Sequence, residues 1–286
     1  MFVFNYIADL IRASEETGVA VSEIVWRQEA EKSGGEETVI WNEMADRLVI
    51  MKEAVRSGLK EKNKTFNQLV GGDACRVMQS AYLLGPVSRK AAAYALAVSE
   101  INAGMGRIVA CPTAGSCGIV PGALLATAEL LQCSDDVLIR ALFTVAGIGE
   151  VIAGNASVSG AVGGCQAECG SAAAMAAGAV VEMLGGTPVQ MSHAVALALK
   201  NVLGLVCDPV AGLVEVPCVR RNGFLAIHAL VAAELAMAGV ESVIPADEVI
   251  DAMYKIGQAI PSSLRETSEA GLAKTPAGVF IAERLG

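Results

Sequence analysis

Residues 163–222 read GGCQAECGSAAAMAAGAVVEMLGGTPVQMSHAVALALKNVLGLVCDPVAGLVEVPCVRRN. Alanine-rich segments of helical length alternate here with loops, and three cysteines lie where helices and loops meet: Cys165, Cys207 and Cys218. Glycine or proline beside each cysteine lets the backbone bend close to a metal, and thiolate sulfur suits zinc and iron-sulfur clusters. The stretch therefore predicts helices that present cysteines to a metal site.

Helix signals recur along the rest of the chain, whereas the period-two alternation typical of strands is scarce. We predict N-caps at Ser22 and at Ser134, and a capping box from Thr187 to Gln190 with Pro188 in the first helical position. The sequence thus predicts an all-α protein, a single compact helical domain with buried Ala- and Gly-rich helices around a cysteine-lined site.

Charge is distributed unevenly along the 286 residues. Residues 1–70 carry 21 charged side chains, and residues 101–200 carry nine. Because neither a linker nor a repeat separates these parts, we interpret 1–286 as one domain, in which residues 1–70 form a charged helical cap over a core of residues 71–286.

Composition excludes several classes of function. Hydrophobic residues make up 53% and the mean hydropathy is +0.51, but charges, prolines and glycines interrupt the apolar runs before they reach the ~20 residues of a bilayer helix, so we predict no membrane span. The net charge of −9 and the pI near 4.9 argue against a nucleic-acid partner. The N-terminus lacks the features of a signal peptide, which predicts a cytoplasmic protein with reduced cysteines.

Spacing alone does not choose among the eight cysteines, because no CxxC pair occurs. We expect Cys75 and Cys133 to be buried hydrophobes. The other six cysteines are candidate ligands: Cys111, Cys117, Cys165, Cys169, Cys207 and Cys218. Among them, Cys111 with Cys117 and Cys165 with Cys169 form two local pairs.

Four segments in order, GRIVACPTAGSCGIVPG, GCQAECGSAAAMAAGA, NVLGLVCDPVAGLVEVPCVRRN and LRETSEAGLA, resemble the α subunit of the iron-sulfur-dependent L-serine dehydratases (L-serine ammonia-lyases). The resemblance runs from about residue 75 to the end. It implies that Cys165, Cys207 and Cys218 hold a 4Fe-4S cluster. It also implies a separate β subunit, because single-chain members carry an additional N-terminal domain.

Three protein ligands leave one iron open to act as a Lewis acid on the hydroxyl of L-serine. The catalytic base is unknown: His193 and His228, the only histidines, lie in apolar helical patterns that predict packing, and the partner subunit is a candidate source of the base. A pyridoxal mechanism would need a Schiff-base lysine, and neither Lys200 nor Lys274 lies in a recognisable cofactor motif.

The loop 112–118 precedes a predicted helix, where backbone N–H groups bind anions. We expect Thr113, Gly115 and Ser116 to bind the substrate carboxylate, with Asn222 as a further substrate-binding residue. A tight helix-helix turn is the alternative for this loop.

Two other segments have open interpretations. Arg220 and Arg221, directly after Cys218, either orient the cluster and substrate or form ion pairs elsewhere. The segment from Arg265 to Ser268 is either an active-site wall or a capping loop.

Three rival functions are also open. A related L-cysteine desulfidase would bind a thiol in place of the hydroxyl, a metal-stabilised scaffold would have no catalysis, and a membrane channel would account for the apolar composition.

Overall fold

A computed structural model describes residues 4–60, 65 and 67–285. The described chain is 70% helical, with thirteen α-helices and no strand, which confirms the all-α prediction. Parts of the predicted charged cap, residues 1–3, 61–64 and 66, lie outside the described residues. The helices in chain order are α1 (Ile7–Thr17), α2 (Val21–Ser33), α3 (Glu37–Gly58), α4 (Asp73–Gln79), α5 (Pro86–Ala103), α6 (Ile119–Leu131), α7 (Asp135–Asn155), α8 (Gly160–Gly163), α9 (Ser171–Met183), α10 (Pro188–Lys200), α11 (Cys218–Met237), α12 (Ala246–Ala259) and α13 (Pro276–Leu285).

Helix α9 lies at the centre of the fold. It packs against α6, α7, α10 and α11, and every residue of 171–181 is buried. A helix that is apolar on all sides belongs in an interior, and its alanines and its glycine allow four neighbours to approach closely. The Ala-rich segment in the opening stretch therefore forms the core around which the other helices are arranged.

Glycine at helix contacts lets backbones touch. A Cβ on Gly122 of α6 would lie 2.7 Å from the carbonyl oxygen of Ala91 and 2.8 Å from the Cβ of Ala95, both in α5. A Cβ on Gly58 of α3 would lie 2.3 Å from the carbonyl oxygen of Ala97. All three distances are shorter than a van der Waals contact, so these crossings require residues without a side chain.

The N-cap predictions had different outcomes. The capping box of α10 is confirmed, since the Thr187 hydroxyl accepts from the Gln190 N–H at 3.2 Å and the Gln190 side chain accepts from the Thr187 N–H at 2.9 Å. Ser134 precedes α7 as predicted, although its side chain makes no capping hydrogen bond. The prediction for Ser22 was wrong, because α2 begins at Val21.

The reason lies in a neighbouring helix. The Glu182 carboxylate of α9 accepts from the Ser22 N–H, with its oxygens 3.3 and 3.4 Å away, so a tertiary contact satisfies this helix end. Glu100 of α5 likewise accepts three backbone N–H groups at the start of α4, at 2.7–3.3 Å. Burial raises the pKa of both Glu182 and Glu100.

Helix α7 has the length and composition of a membrane span, with a mean hydropathy of 1.8 in its most apolar window. Of the described helices it alone passes this test, and 61% of that window is buried inside the protein. A buried core helix passes it as well, so α7 does not indicate a membrane protein.

The charged N-terminal helices share the core of the rest of the chain. Helix α2 packs against α7, and α3 packs against α5 and α7. One hydrophobic cluster contains buried residues from Phe4 to Met253. The division of 1–286 into a cap and a core at residue 70 stays a prediction.

Gly122 and Gly154 offer a matched test of the close helix packing. Both lie within long helices, but a Cβ on Gly154 would have no neighbour within 4 Å. We expect Gly154→Ala to stabilise the protein by about 0.5–1 kcal/mol through helix propensity, and Gly122→Ala to destabilise it by about 1–3 kcal/mol through overpacking. Urea unfolding measures both changes, and equal effects of the two substitutions would contradict the packing argument.

Candidate functional site

The three predicted cysteine ligands are buried at neighbouring ends of the central helices. Cys165 precedes a π-helical turn, Gln166–Gly170, that leads into α9. Cys207 lies in the loop between α10 and α11, and Cys218 is the first residue of α11. Their exposed fractions are 2%, 3% and 7%. Because π-helical turns are rare and are found frequently at functional sites, the turn after Cys165 marks this region.

Electrostatics relate the three thiols to one another. Burial raises the pKa of Cys218 to about 12 and raises the pKa of Cys207 as well, and in both cases the negative charge of Cys165 adds to the rise. The pKa of Cys165 is lowered, mainly by a hydrogen bond from Cys169 and further by the positive charge of Arg221. The charge of Cys165 therefore acts on both of the other thiols.

A fourth thiol lies beside them. The sulfur atoms of Cys165 and Cys169 and a carboxylate oxygen of Glu168 all lie within 4.8 Å of one another. Cys169 is fully buried, and its hydrogen bond to Cys165 raises its own pKa. Sequence reasoning placed Cys169 outside the implied trio, and the structure places it in contact with one member.

Glu168 is a residue of this site that sequence reasoning missed. The residue is 8% exposed. Its Oε1 accepts a hydrogen bond from the Thr113 hydroxyl, and burial raises the pKa of its carboxyl group. The signal was present in the sequence, because Glu168 is one of only nine charged residues in 101–200. A carboxylate kept in such an apolar stretch indicates a specific role.

The geometry around Gly160 shows where these side chains point. A Cβ on Gly160 would lie 3.1 Å from the sulfur of Cys207, 3.3 Å from Oε2 of Glu266 and 3.4 Å from Oε2 of Glu168. Three groups from separate segments thus face one point beside α8. A side chain on Gly160 would crowd these groups, so the position requires a glycine.

An ion pair holds the loop that carries Cys207. Arg221 donates to Oδ1 of Asp208 and to the carbonyl oxygen of Val206, both at 2.8 Å, while Oδ2 of Asp208 accepts from the Leu272 N–H at 2.8 Å. Arg221 is thus a positioning residue at the cysteines. Arg220 instead forms a surface ion pair with Asp73 at 3.1 Å.

Asn222 joins the loop 112–118 to α11. Its Nδ2 donates to the carbonyl oxygens of Gly115 at 2.7 Å and Cys218 at 2.9 Å, and its Oδ1 accepts from the Gly118 N–H at 2.9 Å. The side-chain amide is fully buried, and its oxygen and its nitrogen are both already hydrogen-bonded within the protein. In this structure Asn222 fixes the position of the loop relative to Cys218.

The other predicted substrate-binding residues lie in that loop. The Thr113 hydroxyl is 3.1 Å from the Ser116 hydroxyl, and a Cβ on Gly115 would lie 2.5 Å from Oε1 of Glu168. The structure thus brings Thr113, Gly115 and Ser116 together against Glu168. Their direct contact with a substrate, and that of Asn222, stays a prediction.

The segment 264–268 lies along the Cys207 loop. The Cys207 N–H donates to the carbonyl oxygen of Leu264 at 2.9 Å, and the Glu266 N–H donates to that of Cys207 at 2.7 Å. The Ser268 hydroxyl donates to the carbonyl oxygen of Pro209 at 2.6 Å. Of the two interpretations left open by the sequence, these contacts favour a wall of the cysteine site.

Both histidines make backbone contacts. Nδ1 of His193 accepts from the Ser242 N–H at 3.2 Å, and Nε2 of His228 lies 2.8 Å from the carbonyl oxygen of Ala198. These hydrogen bonds fit the packing role predicted for them. Neither histidine is assigned as the catalytic base.

Comparison with known proteins identifies the family. The family model described as serine dehydratase alpha chain matches residues 16–273. A probable L-serine dehydratase alpha chain of Bacillus subtilis is 50% identical over 99% of this chain and 95% of its own length. The L-serine dehydratase alpha chain of Peptoniphilus asaccharolyticus is 42% identical, with 98% and 97% covered.

A longer relative aligns over only part of its length. The L-serine dehydratase of Streptomyces coelicolor is 37% identical over 93% of this chain, which covers 59% of that protein. Proteins that carry these names are lyases. Since the family model and the two alpha chains extend over nearly the whole sequence, the chain belongs to the serine dehydratase alpha chain family, a family of lyases.

Proposed function

We propose that this chain is the alpha subunit of an L-serine ammonia-lyase in which Cys165, Cys207 and Cys218 hold a 4Fe-4S cluster. The observation that carries the proposal is the burial of these three thiols at the starts of two packed helical segments and in the loop before α11, in a chain that belongs to the serine dehydratase alpha family. The resemblance of the cysteine motifs to the iron-sulfur members supplies the choice of cofactor.

The donor set fits such a cluster. Thiolates are the usual ligands of iron-sulfur clusters, and a cationic metal keeps buried thiols such as Cys207 and Cys218, whose pKa values are raised, in the deprotonated form. Arg221 beside Cys165 offsets part of the negative charge. The buried position limits access of water to the sulfur atoms.

A cluster with three protein ligands supplies one Lewis-acidic iron that favours departure of the substrate hydroxyl. Around it, we assign the loop that contains Thr113, Gly115 and Ser116 to the substrate carboxylate, through its small residues and its position ahead of α6. Asn222 and Arg221 hold this loop and the Cys207 loop in place through their hydrogen bonds. These protein groups orient the amino acid and exclude water.

The reaction removes a proton from Cα and the hydroxyl from Cβ of L-serine, so that a carbon-carbon double bond forms and one water leaves. The resulting aminoacrylate tautomerises to an imine, which takes up one water to give pyruvate and ammonia. The atoms balance without an oxidant or a reductant.

A beta subunit completes the proposed enzyme. The relatives that this chain matches over nearly their full length are named alpha chains, and the longer relatives contain further sequence beyond the aligned part. We assign the missing catalytic base to this partner, and we expect the enzyme to be cytoplasmic.

Anaerobic co-expression with the partner chain tests the function. We expect a coloured protein that contains iron and sulfide and that forms pyruvate from L-serine. L-cysteine is the matched alternative substrate: release of sulfide from cysteine without turnover of serine would identify a desulfidase and contradict the proposal. A colourless protein that contains zinc and no iron would indicate a scaffold.

Single Cys→Ser variants test the ligand assignment. We expect C165S, C207S and C218S to lose the iron absorption. Their activity should fall by more than the roughly 10- to 100-fold that follows removal of a residue that only hydrogen-bonds to a metal ligand. C133S, at a partly exposed thiol, is the control and should keep both. C169S should also keep its iron, and loss of iron in C169S with retention in C218S would overturn the assigned trio.

A further inference from the structure

Two carboxylates in the site face each other without a cationic side chain between them. Oε2 of Glu168 and Oε2 of Glu266 point to the same position beside Gly160, and the charge of Glu266 adds to the rise in the pKa of Glu168. Within the described part of the chain, neither carboxylate forms an ion pair with a lysine or an arginine. Two like charges directed at one point are unfavourable unless a cation binds there or one carboxyl group takes up a proton.

Arg221, whose charge acts on Glu168, is already engaged. Arg221 uses its guanidinium for Asp208, for the carbonyl oxygen of Val206 and for Cys165. Only Oε1 of Glu168 has a hydrogen-bond donor among the described residues, the Thr113 hydroxyl. Glu168 is 8% exposed. Its Oε2 accepts no hydrogen bond from the described residues.

We propose that Glu168 and Glu266 bind the α-ammonium group of the amino-acid substrate, an assignment that rests on the proposed function. An ammonium group has three N–H donors, and carboxylate oxygens form short, charge-assisted hydrogen bonds with such donors. The two carboxylate oxygens and the sulfur of Cys207 all lie within 3.1–3.4 Å of the position that a Cβ on Gly160 would take, so the three groups are directed at the same place.

The arrangement explains how the site distinguishes the two ends of an amino acid. Loop 112–118 lies against the Glu168 carboxylate: the Thr113 hydroxyl donates to its Oε1, and a Cβ on Gly115 would lie 2.5 Å from Oε1 and 3.1 Å from Oε2. The ammonium group binds toward Glu266 and the carboxylate toward the loop. A ligand that lacks an amino group leaves the Glu168 and Glu266 carboxylates opposed and unpaired, which disfavours its binding.

L-alanine and propanoate test the assignment, because they differ only in the amino group and neither carries a leaving group. The inhibition constants of both against L-serine turnover are measured with the anaerobically purified, co-expressed enzyme and its E168Q and E266Q variants. We expect each variant to weaken L-alanine by about 10- to 100-fold, the effect of losing a charged hydrogen bond, and to leave propanoate within about threefold.

Controls separate the possible outcomes. E269Q alters an exposed carboxylate of the same segment and should change neither constant, and iron content together with the thermal midpoint verifies that each variant is folded. Because Glu266 is exposed, E266Q serves as a test even if E168Q fails to fold. Equal weakening of both ligands, no weakening of L-alanine, or a fall in kcat with unchanged L-alanine binding would overturn the assignment.

Failure of the proposed function has a different result. If the wild-type enzyme turns over no L-serine, the proposed reaction is wrong. The thermal shift caused by L-alanine and by propanoate is then compared directly between the wild type and the variants. If the wild type turns over L-serine and both variants still prefer L-alanine to propanoate as strongly as the wild type does, only the assignment of the ammonium site is contradicted.

Discussion

Backbone contact between helices is the constraint on which this fold depends. Helix α9 is surrounded by four helices, and neighbouring crossings such as α5 with α6 leave no room for a Cβ at Gly122. Many small apolar contacts, each weak, together stabilise such packing. Helix α9 packs against α11, and α11 also contacts the π-helical turn after Cys165, so Cys165 and Cys218 lie at the starts of segments that pack together.

Close packing also determines how polar groups are satisfied. Helix ends inside a crowded interior have unpaired N–H groups, and carboxylates on other helices supply the acceptors, as Glu182 does for α2 and Glu100 does for α4. Each carboxylate is taken out of water, which raises its pKa. Glu168 shares this burial, but its Oε2 is directed at the site rather than at a helix end. That difference separates a structural carboxylate from one with a ligand-binding role.

The site was predictable in its residue types and less so in its arrangement. The three cysteines and the loop 112–118 stood out because glycine, proline and thiols are concentrated in these segments. The contributions of Glu168 and Asp208 were missed, since their partners Thr113 and Leu272 are 55 and 64 residues away along the chain and no local pattern relates them. Arg220 and Arg221 show the same limit: adjacent in sequence, they point to a surface carboxylate and to the cysteine site, respectively.

By itself the sequence determined the helical class, the box at the start of α10 and the family, because these depend on local periodicity, on hydrogen bonds within four residues and on long motifs. Only the tertiary structure decided where α2 begins, which arginine reaches the cysteines, and which groups meet beside Gly160. Each of these depends on a contact between segments far apart in the chain. Such contacts are set by how closely whole helices pack, and a linear pattern does not contain that distance.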